Sequence, residues 1–332
     1  MRELIALLKP RYWSFQKGRS GKSSRNRHAQ WLLMSTIGLA FWAGAFVVFY
    51  RILKYFQGVA EFGDILAYKL LAMILLTFFA LLIFSGIITS LAKLYLSRDL
   101  ILVHSLPVPP AKIFLARFVE STIDSSWMVI VYSLPVFLSY GIVFQAGILF
   151  YAAVLMALLP LCLIASALSS WWVLIVGLLL PAGRIRSIFI FLSLILFLIL
   201  IIAFRLMRPE QLVDPEAFAS VLLYLRYLST PASPLLPTTW VHDSLRAALV
   251  GDIKADVFHL SLAWSFAVTL IFIAFWTARF CYFAGFSKAQ TAPEKLIKVL
   301  TGRKARVLSA LIKMLPESTR AFTVKEVKTF FR

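Results

Sequence analysis

Six apolar runs, each near or above the roughly 20 residues a helix needs to cross a bilayer, constrain this chain more than any motif does. They fall at 31–53, 68–92, 114–144, 149–180, 188–204 and 257–283. Composition agrees: 61% of the 332 residues are hydrophobic, against roughly 45–50% in soluble domains. The expected class is an all-α membrane protein with six transmembrane helices. The third and fourth runs are long, so tilt or breaks are expected, with Pro135 and Pro160 as natural kink sites.

Charge sets the orientation. The net charge is +19, yet the basic residues lie beside apolar runs, where they set topology and meet anionic headgroups, so nucleic acid is not indicated. Lysines and arginines crowd the leader, the flanks of 97–110 (Lys93, Arg98, Lys112, Arg117), the Arg184–Arg186 stretch and the tail from Lys288 onward. With six spans these four regions share one side. Residues 57–67 and 208–256, richer in acids, share the other. The positive-inside rule then predicts both termini in the cytoplasm.

The segments between the runs divide the chain into three parts. Residues 1–30 combine an amphipathic, aromatic and basic segment suited to the membrane interface with a polar linker. Some thirty mostly polar residues ahead of the first run argue against a cleavable signal. Gly21-Lys22-Ser23 mimics the end of a phosphate loop, but Gln16 stands where the first glycine is needed, so a solvated linker is expected. Residues 31–285 form the six-span domain, and 286–332 form a basic amphipathic tail. The outer segment 207–256, punctuated by Pro231, Pro234 and Pro237, has helical spacing at 218–227 and 239–250 and predicts a small helical cap.

Between runs two and three stands Ser97-Arg98-Asp99-Leu100-Ile101-Leu102-Val103-His104-Ser105-Leu106-Pro107-Val108-Pro109-Pro110. Ser97 is a good N-cap, Asp99 suits the positive end of a helix, and the prolines forbid continuation. A helix of two to three turns is expected, with Leu96, Leu100 and Val103 on one face and Ile101 and Leu102 left over on another. Held outside the bilayer, such a helix invites a protein partner.

Ionisable groups within spans are functional candidates because hydrocarbon makes them costly. Glu120 and Asp124 are four apart on one face, with Arg117 one turn below Glu120. They suit either a structural network near the interface, paired with Arg117 or Lys112, or a polar substrate path. Lys69 is expected to snorkel outward, and Trp171 and Trp172 to pack or to anchor at the interface. Cys162 and Cys281 read as buried hydrophobes with no metal spacing. The four histidines are scattered; His242-Asp243 is suggestive, but neighbours point apart on a helix and should not form a dyad. No catalytic residues are expected.

The layout resembles the permease subunit of a type-2 ATP-binding-cassette (ABC) exporter. An interfacial helix precedes the first span, a short cytoplasmic helix joins spans two and three, and a helical outer segment precedes span six. Arg98-Asp99-Leu100, Ser105-Leu106-Pro107-Val108 and Ala111-Lys112-Ile113-Phe114-Leu115-Ala116-Arg117-Phe118 are similar to the end of that family's coupling helix and the start of its third span. The resemblance implies coupling to an ATPase through Arg98, Asp99, Leu100, Ile101, Leu102 and Ser105. It also implies no cofactor in this chain, with ATP and magnesium held by a separate cytoplasmic ATPase partner. The setting would be the cytoplasmic (inner) membrane of a bacterium. The tail ends Thr323-Val324-Lys325-Glu326-Val327-Lys328-Thr329-Phe330-Phe331-Arg332, similar to the start Arg2-Glu3-Leu4-Ile5-Ala6-Leu7-Leu8-Lys9, so a second permease half or a homodimer is expected. A polytopic membrane enzyme and a secondary transporter are the alternatives; the near absence of mid-depth charge counts against ion coupling.

Overall fold

The computed structural model describes residues 25–58, 63–97, 99–179 and 236–290, together with single positions 13, 194, 198 and 202. Every element among the described residues is helical. Hydrocarbon offers backbone groups no partners, and a helix satisfies them within its own segment. The elements are α1 (Arg25–Gln57), α2 (Gly63–Leu91) continued by a π-helical turn (Ala92–Leu96), α3 (Leu100–His104), α4 (Pro110–Val143), α5 (Ile148–Leu179), α6 (Pro237–Val250) and α7 (Ile253–Gln290). Among the described residues five helices are long and apolar enough to span a membrane: α1, α2 with its π turn, α4, α5 and α7. They coincide with five of the six apolar runs. The run at 188–204, the interfacial leader, the Arg184–Arg186 stretch, the 218–227 segment and the tail lie outside the described residues, apart from the single positions.

The central helix is α5, packed against α2, α4, α6 and α7, while α1 lies at the edge against α4 and α2. Leu158, Leu161, Ile164 and Ala165 of α5 are almost wholly buried. One apolar cluster, with Leu66, Leu75, Tyr140, Phe150, Val241 and Leu245, fills the bundle toward α6. A second, with Leu94, Tyr95, Phe114, Leu174 and Tyr282, takes in Leu100 of α3.

Serines line the seam where α2, α4 and α5 meet. Ser90 Oγ and Ser170 Oγ are 2.9 Å apart, Ser169 Oγ donates to the Ile83 carbonyl at 3.0 Å, and Ser90 Oγ reaches Ser121 Oγ at 3.4 Å. Lipid tails are as apolar as leucine, so close packing of small residues and hydrogen bonds between helices hold such a bundle together. Pro135 and Pro160 lie inside α4 and α5, which continue through them.

The ends of the helices are capped by local chemistry. Asp252 accepts from the backbone N–H groups of Lys254 and Ala255, starting α7. Gly251 ends α6 with φ 84°, the left-handed conformation glycine adopts without strain. Gln57 Nε2 donates to the Val143 carbonyl at the end of α4, 2.8 Å away.

Gly86 sets the approach of α2 to α5. A Cβ there would stand 2.6 Å from the Ser169 hydroxyl, whereas one at Gly38 on α1 would meet nothing within 4 Å. Gly86→Leu should therefore cost about 1–3 kcal/mol through forced separation, and Gly38→Leu should cost nothing. Thermal unfolding of the two detergent-solubilised variants checks the contrast.

Candidate functional site

The connection from α2 to α4 carries the residues that the sequence singles out for docking. The π turn leads to Ser97, whose extended backbone (ψ 130°) breaks the helix. Two expectations fail here. Asp99, not Ser97, occupies the N-cap position and makes no side-chain cap, because the Ser97 hydroxyl instead donates to the Asp99 carboxylate. The helix is also only five residues long, since the exit from α2 uses chain that periodicity assigns to it. Ser105 closes it, donating from Oγ to the Leu102 carbonyl at 2.7 Å.

Packing sorts the apolar residues of α3. Leu100 is fully buried against the π turn and α4, so it anchors the helix. Leu96, expected on the same face, is half exposed because the extended Ser97 breaks the helical phase between them. Ile101 and Leu102 project outward, 61% and 72% exposed, with Leu106 beside them. Arg98 lies outside the described residues.

Beneath α3 runs a chain of charges. Arg117 Nη2 donates to Asp99 Oδ2 at 2.5 Å, and Nη1 donates to Glu120 Oε2 at 2.9 Å. Lys93, on the π turn, lies 3.8 Å from Glu120 and 3.1 Å from Asp124. From the sequence, Arg117 or Lys112 is the expected partner of these carboxylates. The structure pairs Arg117 with Glu120 and adds Lys93, whose position across the hairpin depends on a register the sequence does not show. The Asp99 carboxylate thus points inward onto α4, so it holds the connection to the bundle. Partial burial pushes the Asp99 carboxyl up, but the Ser97 hydroxyl and the Arg117 guanidinium outweigh this and hold it below the usual carboxylate range.

Helix length accounts for charge at this depth. At 1.5 Å per residue the 34 residues of α4 extend about 51 Å, against a hydrocarbon core of about 30 Å. The overhang accommodates the first turns of α4, which bear Arg117 and Glu120.

Other candidates fall elsewhere. His242 and Asp243 do interact, contrary to expectation: Nδ1 lies 3.0 Å from Asp243 Oδ1. Nε2 is 3.0 Å from the Tyr68 carbonyl, an acceptor only, so this ring ties α6 to α2 and offers no free base. The His242 hydrogen bond holds the Asp243 carboxyl below its usual range against the opposing effect of burial. Lys69, expected to snorkel, is 9% exposed at the end of α2 against which α6 packs. Trp171 packs on the cluster around α3 while Trp172 is exposed; Cys162 is a buried free thiol as expected, whereas Cys281 is only half-buried. Among the described residues no group of His, Cys, Asp and Glu could hold a metal ion. Gly21-Lys22-Ser23 lies outside them.

The charge chain generates a stability prediction. Arg117→Met removes the nearer of two cations beside a carboxylate whose side chain is 6% exposed and leaves Lys93 at 3.8 Å. It should cost about 2–3 kcal/mol, less than the roughly 3–5 kcal/mol of a fully unpaired buried charge. The double variant Arg117→Met, Glu120→Leu should recover most of that loss. Asp99→Asn, at a side chain 53% exposed, should cost under about 1 kcal/mol. Because the Asp99 carboxyl is lowered in the folded state, its contribution is present above the ordinary carboxylate range and is lost only as pH falls below it. Melting curves of the three variants from pH 7 down to pH 3 check both statements.

No curated protein and no solved structure matches the chain. One protein family does: the model described as "Putative ATP-binding cassette" matches residues 22–332. That match covers all seven described α-helices, including the connection carrying α3. The chain belongs to this ATP-binding-cassette family.

Proposed function

We propose that this chain is the transmembrane permease component of an ABC exporter, moving its substrate when coupled to a separate cytoplasmic ATPase. The observation that carries the reading is α3: a short helix anchored by Leu100 and by the Asp99–Arg117 pair, with Ile101 and Leu102 turned outward. These two side chains extend from the charged end of the bundle, where no lipid tail shields them. Burying each in a partner's groove would return roughly 1.5–3 kcal/mol.

The family match supports an ABC context, and its description names the cassette, the part that binds ATP. On this reading the ATP and magnesium belong to the partner, and this chain supplies the membrane path. A second permease half or a second copy would complete that path. ATP-driven closure of two ATPases would move the halves as rigid bodies, and the ion pairs beneath α3 suit it to bearing that force. The distribution of basic residues supports both termini and α3 in the cytoplasm, with the chain in the cytoplasmic membrane of a bacterium.

Two experiments test the reading. Ile101→Asp with Leu102→Asp touches no span, so expression should hold while capture of the partner ATPase and transport fall at least tenfold. Undiminished capture would reject docking through α3. For topology, Ser105→Cys in a chain free of Cys162 and Cys281 should label only from the cytoplasmic side; labelling from outside would reverse the orientation.

A further inference from the structure

Three buried polar atoms stand without partners among the described residues where α3 meets α7. His104 Nδ1 lies 2.8 Å from the Leu100 carbonyl. A carbonyl only accepts, so Nδ1 carries the proton and, in the neutral ring, Nε2 is left as an acceptor. That Nε2 is buried and unpaired, as are the hydroxyls of Tyr95 and Tyr282. Tyr95 is 1% exposed and Tyr282 0%.

The rings are neighbours. The Tyr282 centroid lies 5.6 Å from that of His104 and 6.3 Å from that of Tyr95. The Tyr95 hydroxyl end is seated between Gly177 of α5 and Gly285 of α7, where a Cβ would come within 2.9 Å and 2.7 Å of the oxygen. The two glycines offer it no side chain to bond. The His104 ring also stacks on Phe286 of α7, with centroids 4.0 Å apart and planes at 4°.

A buried polar group without a partner costs more than an ordinary hydrogen bond returns. Two hydroxyl donors and one imidazole acceptor match what a single water can satisfy, accepting twice and donating once, and three bonds are typical of buried water. We propose that Tyr95, Tyr282 and His104 form a buried solvent-binding site, whose water bridges the π turn, α7 and α3. The bridge fastens α3 to α7 and to the π turn that continues α2, so movement of the short helix is passed to two spans.

The test uses the full chain in detergent. Tyr95→Phe and Tyr282→Phe remove one hydroxyl each and keep the ring. Each should lower the melting temperature by about 2–4 °C, and the double variant should lose less than the sum because both act through one water. Unchanged or raised melting temperatures would mean the hydroxyls are unpaired and would overturn the proposal; so would fully additive losses. Should either variant fail to fold, an experimental structure of the unaltered chain that resolves ordered solvent decides. A water within hydrogen-bond distance of the Tyr282 hydroxyl and His104 Nε2 supports the site, and a direct bond between those two groups overturns it.

Discussion

A bilayer interior cannot hydrogen-bond a peptide group, so each span must satisfy its own backbone and leave only side chains to hold neighbours together. The architecture follows from that constraint. Helices of 34 residues such as α4 exceed the hydrocarbon thickness, and their ends emerge where charge is tolerated. Within the bundle, the gain from burying leucine is small because lipid already supplies an apolar surround. Close contact at Gly86 against Ser169 and the serine bonds between α2, α4 and α5 take over that role.

The charged end of the bundle obeys a different balance. Arg117 and Glu120 are nearly buried, so each is tolerable only with opposite charge beside it, and each is the other's partner. Lys93 brings the π turn into the same group, and Asp99 brings the connection. Three consecutive parts of the chain are thereby fastened at one point, and α3 projects from it with two apolar side chains exposed. A helix of five residues has negligible stability alone. Its position is imposed by Leu100 and by the ion pairs, which makes it a rigid projection of α4.

The opposite end is held by a separate device. His242 spans from Asp243 to the Tyr68 carbonyl, and Ser244 donates to Asp256 at 2.5 Å, so α6 is tied both to α2 and to α7. At that end the bonding groups of α6 turn inward, while at the charged end α3 turns Ile101 and Leu102 out. That exposure is what supports the proposal of docking through α3.

By itself the sequence determined the class, the five described spans, the helix read at 239–250, which the structure starts at Pro237, and the exposure of Ile101 and Leu102. Each depends on local run length, periodicity or turn chemistry, which neighbouring residues specify. The pairing of Arg117 with Glu120 was legible for the same reason, being one helical turn apart. Only the tertiary structure decided that Lys93 joins them, that Asp99 faces inward, and that Tyr95, Tyr282 and His104 meet. Those depend on the register and rotation of helices far apart in sequence, set by packing at a few glycines and serines. The shortness of α3 also escaped local reasoning, because a π turn and an extended Ser97 consumed residues that periodicity alone assigned to helix.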